Sequence, residues 1–350
     1  MRAATPAKES RFWTPVLNYV ETIALDTTGN LRDPSAVVQD PETKRWHFWV
    51  DYMPGATQPG WHAYLHHYSA SELRGPWANH GLALNHSSDP RAWDYSGQFS
   101  SSVIYSAEER LWYLFFSASG ANQSTLLTCA QLAASAPSPD GPWTVLGAVA
   151  TPTGAPSNNW TGSWNTRRLD SGRALIIGGQ KGYWTKGVQG QNVASEGLYL
   201  PRSPRSFAPP YAEAPGNPRF KPPSSDSAGY ENCEFFMGGH PAPSNQLHIW
   251  CSWHSGNGIP GLPRGQSPHF VVDLATDPLG ERWIYAGSLN WQNKSDAGPA
   301  PGEPTPVYEN GAPGDASSVQ YFIARQETGR KGAGALAIGL YSLSWVAPGV

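Results

Sequence analysis

Four positions in this 350-residue chain stand at equal intervals: Asp33, Phe99, Asn165 and Glu231, each 66 residues from the next. Asp33 leads DPSAVV, Phe99 leads FSSSVIY, Asn165 leads NTRRL and Glu231 leads ENCEFF. A constant period of this length marks repeated supersecondary units. If the units stand around one centre, the four residues share one structural position and face one pocket. Two of the four are acids, and a pair of carboxyl groups flanking a substrate can cleave a glycosidic bond. One carboxyl must stay protonated to donate to the leaving oxygen, and the other must be ionised to attack or to activate water. Glu231, set between Tyr230 and an apolar strand, suits the acid, because partial desolvation raises a carboxyl pKa. Asp33 suits the nucleophile or base, since an inward-turned Arg32 beside it favours the ionised form. Glu234, on the same strand, is the alternative acid. The plainer reading of each is a turn residue, because Asx side chains ahead of a strand bond the local backbone.

The elements that must position these residues read as strands. Gly75-Pro76-Trp77 and Gly141-Pro142-Trp143 are a second marker repeated after 66 residues, at another point of the unit. The first unit runs Pro34–Val38, a turn at Asp40-Pro41-Glu42, Arg45–Val50 and Ala63–Ser69; the second repeats it through SSSVIY, LWYLFF and LLTCAQLA. The third is read as NTRRL, a turn at Asp170–Gly172, and RALIIGG; the fourth as ENCEFFMGG, LHIWCSW and HFVVDL. A fifth begins at SSVQYFIA, behind a Pro/Gly/Asn-rich segment around Lys294–Gly314 taken as a surface loop. Alternation and Gly/Pro punctuation define these strands, and no persuasive helical period interrupts them. The predicted fold is all-β: a single five-bladed β-propeller over residues 1–350, with blades from about 31 to 345 and residues 1–30 a lead-in that supplies a closing strand. Radial repetition leaves a central channel where the innermost strands converge. A β-sandwich of this size would not repeat one residue per unit at a constant offset.

Composition narrows the partners. The net charge of −3 gives no electrostatic footprint for nucleic acid or an anionic membrane, and no apolar run approaches the length of a membrane span. The N-terminus, MRAATPAKESRFW, has no apolar core of signal-peptide type. Three cysteines make no disulfide scaffold, although Cys233 and Cys251 fall on neighbouring strands. No cofactor is expected, and the adjacent His66-His67 lacks ligand spacing for zinc. Asp94 is a further acid near the pocket, and Trp61, Trp93 and Trp164 lie near pocket-side loops where an indole can stack on a sugar.

Here the motifs resemble a known superfamily of five-bladed propeller glycoside hydrolases, the invertase, levansucrase and arabinanase group. RDPSAVV resembles the first-blade Asp-Pro motif of the arabinanase and xylosidase branch (family 43) and of the anhydrogalactosidase branch. GQFSSSVIY resembles the second-blade motif of the fructofuranosidase branch (family 32), and YENCEFF is similar to that branch's Glu-Cys-Pro-Asp-Phe-Phe. The resemblance implies an extracellular, exo-acting hydrolase of oligosaccharides, with Asp33 and Glu231 as the catalytic pair. It places Arg32, Asp94, Phe99, Ser100, Trp164, Asn165, Glu234 and His254 at or near the substrate. One related branch uses a His as acid, which draws attention to His240, His248 and His254. The superfamily also carries a third carboxylate in blade three, where this chain has Asn165. Asn adds no charge, so the alternative is a propeller that binds carbohydrate without cleaving it. A protein-docking propeller with a shallow apolar mouth is a third class.

Overall fold

The computed structural model describes residues 12–25, 30–53, 63–89, 91–119, 129–151, 170–177, 180–186, 196–220, 232–237, 245–252, 267–278, 280–292, 302–309, 319–326 and 337–348. Among the described residues there is no α-helix, and none is long and apolar enough to cross a membrane. The all-β expectation therefore holds.

The strands fall into antiparallel groups of four. β2 (Asn30–Gln39), β3 (Trp46–Met53), β4 (Tyr64–Ala70) and β5 (Ala78–Leu82) form the first unit. β6 (Gly97–Ser106), β7 (Leu111–Ser119), β8 (Cys129–Ala136) and β9 (Thr144–Ala150) form the second. The third comprises β10 (Asp170–Ile177), β11 (Gln180–Lys186), β12 (Glu196–Pro201) and β13 (Tyr211–Glu213). The fourth comprises β14 (Asn232–Met237), β15 (Gln246–Ser252), β16 (Ser267–Asp273) and β17 (Ile284–Gln292). The last group combines β18 (Gly302–Tyr308), β19 (Val319–Gln326) and β20 (Ala337–Val346) with β1 (Thr14–Ile23) from the opposite end of the chain. Two parallel pairings, β1 with β17 and β18 with β2, join three of the groups into a twelve-stranded sheet.

Alternation drives the packing between groups. Trp49 and Leu65 of the first unit meet Val103, Trp112 and Leu114 of the second in one buried cluster. Phe115 and Tyr113 meet Tyr183, Tyr199 and Phe207 in another, between the second and third. Trp184 and Leu198 meet Ile249 and Phe270 between the third and fourth, and Ile323 and Leu340 meet Phe48, Val50 and Tyr68 between the last and first. The strands between these clusters are buried on both faces, as β7 is at all but its first residue, whereas the fourth strands β5 and β13 are largely exposed.

Two sequence expectations are corrected. The segment Asp170–Gly172 is no turn; it opens β10, and the reversal falls between Ile177 and Gln180. The supposed surface loop around Lys294–Gly314 contains β18, the first strand of the last group. Pro304 and Pro306 disguised it, since prolines are normally read against a strand; here they accompany an irregular ladder that shifts register between Gly302 and Thr305.

Candidate active site

The first strands of four groups share one irregularity. β2 shifts register between Leu31 and Ala36, β6 between Phe99 and Ser102, β10 between Asp170 and Gly172, and β18 between Gly302 and Thr305. Bulges bend a strand, raise its local twist and leave backbone groups outside the ladder. In this protein, buried side chains take up those groups.

Arg173, 8% exposed on β10, donates from Nη1 to the carbonyls of Ser35 on β2 and of Ser101 on β6, the latter at 3.3 Å. Its Nη2 donates to Thr305 Oγ1 on β18 at 3.2 Å, and that hydroxyl donates to the Pro34 carbonyl at 2.7 Å. The Ala174 N–H donates to Ser102 Oγ at 3.2 Å. One guanidinium therefore bonds β2 and β6 within their bulges, and β18 at the end of its own, from just past the bulge of β10. Asp51, at the end of β3 and 3% exposed, acts beside it. Its Oδ1 accepts from Ser35 Oγ at 2.7 Å and from the Ser100 N–H at 3.0 Å. Ser100 has φ of 49°, a left-handed conformation that a non-glycine residue adopts only when its surroundings hold it.

The expected site residues divide by position. Asp33 and Arg32 lie in β2, immediately before the Pro34–Ser35 pair that this network grips, and Glu234 lies in β14; their side chains are outside the described residues. Glu231, Asn165, Trp164 and His254 are also outside them, as are Trp61 and His240. Glu231 directly precedes the first residue of β14, and β14 packs against β18. Asn165 precedes β10 by five residues, so the residue that opens this strand is Asp170. Phe99 is buried (4% exposed) and Ser100 half-buried beside it. Asp94 is buried and accepts from Gln98 Nε2 at 3.2 Å, tying its loop to the start of β6. Trp93 packs half-buried against the core between the first two units.

The histidines do something else. His67 pairs with His47 rather than His66: Nδ1 of His47 and Nε2 of His67 are 3.0 Å apart, with ring planes within 4°. His248 and His269 form the same pair in the fourth unit, at 2.9 Å and 2°. Ring centroids of 5.2 and 5.1 Å correspond to the bond plus two ring radii, so each pair is coplanar and joined edge to edge by an N–H···N bond. Burial holds all four below the ordinary imidazole value, His47 at about 4 and His269 at about 3. His248 is fully buried. Asp140 approaches the first pair at 3.7 and 3.9 Å, giving a group of potential metal donors. The in-line bond spends the facing lone pair on the neighbouring ring, and the His67 Nδ1 lone pair diverges from His47. The three donors therefore do not converge on one point as a metal requires.

Sequence reasoning missed Asp51, Arg173 and Glu303. A signal existed for the last: Glu303-Pro304-Thr305-Pro306-Val307 repeats Asp33-Pro34-Ser35-Ala36-Val37 at a spacing of 270, and Val307 pairs with Val37.

The sequence matches no protein-family profile and none of the curated proteins. Solved structures do match. A family 117 glycoside hydrolase of the marine bacterium Zobellia galactanivorans superposes with a TM-score of 0.67 at 14% identity, over 96% of this chain and 91% of that one. A thermostable family 43 glycoside hydrolase gives 0.55 at 14% identity, over 93% and 92%. The catalytic domain of a family 62 α-L-arabinofuranosidase of Coprinopsis cinerea gives 0.55 at 13%, over 97% and 99%. These are β-propeller glycoside hydrolases, and the likeness at this identity is one of fold.

Proposed function

We propose that the chain is a glycoside hydrolase whose five four-stranded groups close as a five-bladed β-propeller, with Asp33 and Glu231 as its catalytic carboxyls. The observation that carries this reading is the bonding of Arg173 to Ser35, Ser101 and Thr305, which draws the starts of four inner strands to one centre. Asp33 stands two residues before Ser35 on one of those strands, and Glu231 adjoins the inner strand of the remaining unit. Glu231 donates a proton to the leaving oxygen, and Asp33, ionised, attacks the anomeric carbon or activates water. Asp170, which opens β10, takes the part of the third carboxylate in place of Asn165 in this reading, and a propeller that binds carbohydrate without cleaving it is the alternative. The proposed substrate is an oligosaccharide or glycoside cut at its non-reducing end.

A panel of aryl furanosides, aryl pyranosides and fructans tests the assignment. Asp33→Asn and Glu231→Gln are expected to lower kcat by roughly 10²–10⁴-fold, with Asp170→Asn losing more than Asn165→Ala. Full activity in both of the first two variants would end the catalytic assignment, and saturable sugar binding without turnover by the wild type would favour the binding module.

A further inference from the structure

The carbonyls of Ser35 and Ser101 and the hydroxyl of Thr305 come from three strands, yet all are bonded by one side chain. Burying a cation is costly unless its donors are met. Guanidinium, planar with five fixed N–H donors, can meet several acceptors at once, which an ammonium on a flexible stem does not do in one geometry. Two of these acceptors have a common context. Ser35 follows Asp33-Pro34, and Thr305 follows Glu303-Pro304. β2 and β18 run parallel and paired, with Val37 beside Val307 and Val38 beside Tyr308, and Asp33 and Glu303 each stand four residues ahead of that pairing in sequence. Two residues of strand separate each acid from the atom that Arg173 grips, roughly 6–7 Å of backbone. Adjacent carboxylates raise one another's pKa, and a nearby cation lowers both.

We propose that Arg173 is the positioning residue of the hydrolytic site: a built-in cation that fixes the bulged starts of β2, β6 and β18 and offsets the paired acids Asp33 and Glu303, keeping Asp33 ionised. This rests on the reading of Asp33 given above. It adds a fifth-group carboxylate, Glu303, to the rim of the site. The charged residues in or next to these strand starts are, by sequence, Arg32 and Asp33 in β2, Asp170 in β10, Glu303 in β18 and Glu231 ahead of β14, with Asp51 in β3.

The test compares Arg173→Met, Arg173→Lys, Glu303→Gln and the Arg173→Met/Glu303→Gln double variant, on whichever glycoside of the panel the wild type cleaves. Arg173→Met is expected to lower kcat about 10²–10³-fold, with KM within about threefold and an unchanged near-ultraviolet spectrum. The acid limb of its pH–kcat/KM profile should move up by about one unit. Arg173→Lys should recover only part of the loss. The double variant should be more active than Arg173→Met, with its acid limb moved back, because one of the uncompensated charges is gone. A purely structural arginine predicts additive losses and an unmoved limb, and either result overturns the proposal. If Arg173→Met does not fold, Arg173→Lys and added guanidinium (about 20 mM, below denaturing levels) decide. Failure of both to restore a folded, active enzyme marks Arg173 as a fold-holding residue only and overturns the proposal. A wild type inert on the whole panel instead defeats the hydrolase reading, and the melting temperature of Arg173→Met with and without guanidinium then tests the cation site by itself.

Discussion

At the scale of single residues, the unusual feature is how much of the candidate site's support is polar and buried. Asp51 is a clear case, a buried carboxylate bonded to Ser35 Oγ and to the Ser100 N–H. Removing the carboxylate leaves both donors without that acceptor, a loss of about 1–3 kcal/mol for each buried group. Asp51→Ala should therefore lower the urea midpoint substantially and depress kcat, since the strands that carry Asp33 and Phe99 lose one of their two common ties, Arg173 being the other. Ser100→Gly acts in the opposite direction. Glycine adopts φ of 49° without the steric cost that serine bears, so this variant should match or exceed wild-type stability by up to about 1 kcal/mol. Urea unfolding at pH 7 reads both changes.

Whole strands carry the histidine pairs. β3 and β4 hold His47 and His67; β15 and β16 hold His248 and His269, in the same diagonal register, with Trp49 opposite His67 and Trp250 opposite His269. Each pair is stable as two neutral rings, because one N–H can meet one lone pair. Burial lowers all four values below the ordinary 6.5, so the unfolded chain takes up protons first. Stability is then whole above about pH 6.5 and is lost as pH falls toward 4. Urea midpoints measured from pH 8 to pH 4 should decline steadily over that window. Replacing His248 and His269 together by Leu should flatten the decline, even if packing costs some stability at pH 7. An unaltered slope in the double variant would show that this pair does not bind protons differently in the two states.

For the whole molecule, the decisive feature is that the first strand belongs with the last. β1 runs antiparallel along β20 from Thr14 beside Val346 to Ile23 beside Ile338, and parallel to β17 at Val16 and Asn290. Leu17 and Val16 are buried there. Deletion through Ile23 would expose two strand edges at once, which invites edge-to-edge association. The truncated chain should lose its cooperative thermal transition and elute as aggregate on size exclusion, and a peptide spanning residues 12–25 should restore part of the monomer. A truncated chain that melts like wild type would mean that the last group holds without its N-terminal strand.

The first three strands of the first two units and the turns between the first two were legible in the sequence, because side-chain alternation and turn chemistry are local; the fourth strands, β5 and β9, were not. That the N-terminal segment supplies a strand was legible too, and β1 pairs with β20 and β17 far along the chain. The start of the third unit was not: extending the period to Asn165 assumed equal loops, and loop length is free to vary while strand register is not, so β10 starts at Asp170. β18 hid behind its prolines for a similar reason, its pairing being set by a strand about 270 residues earlier. Arg173 and Asp51 could be recognised only in three dimensions. A charged residue in a strand looks the same in sequence whether it faces water or an acceptor, and the acceptors of Arg173 lie 138, 72 and 132 residues away. Local patterning settled what the strands are; long-range register decided which oxygens gather around one guanidinium.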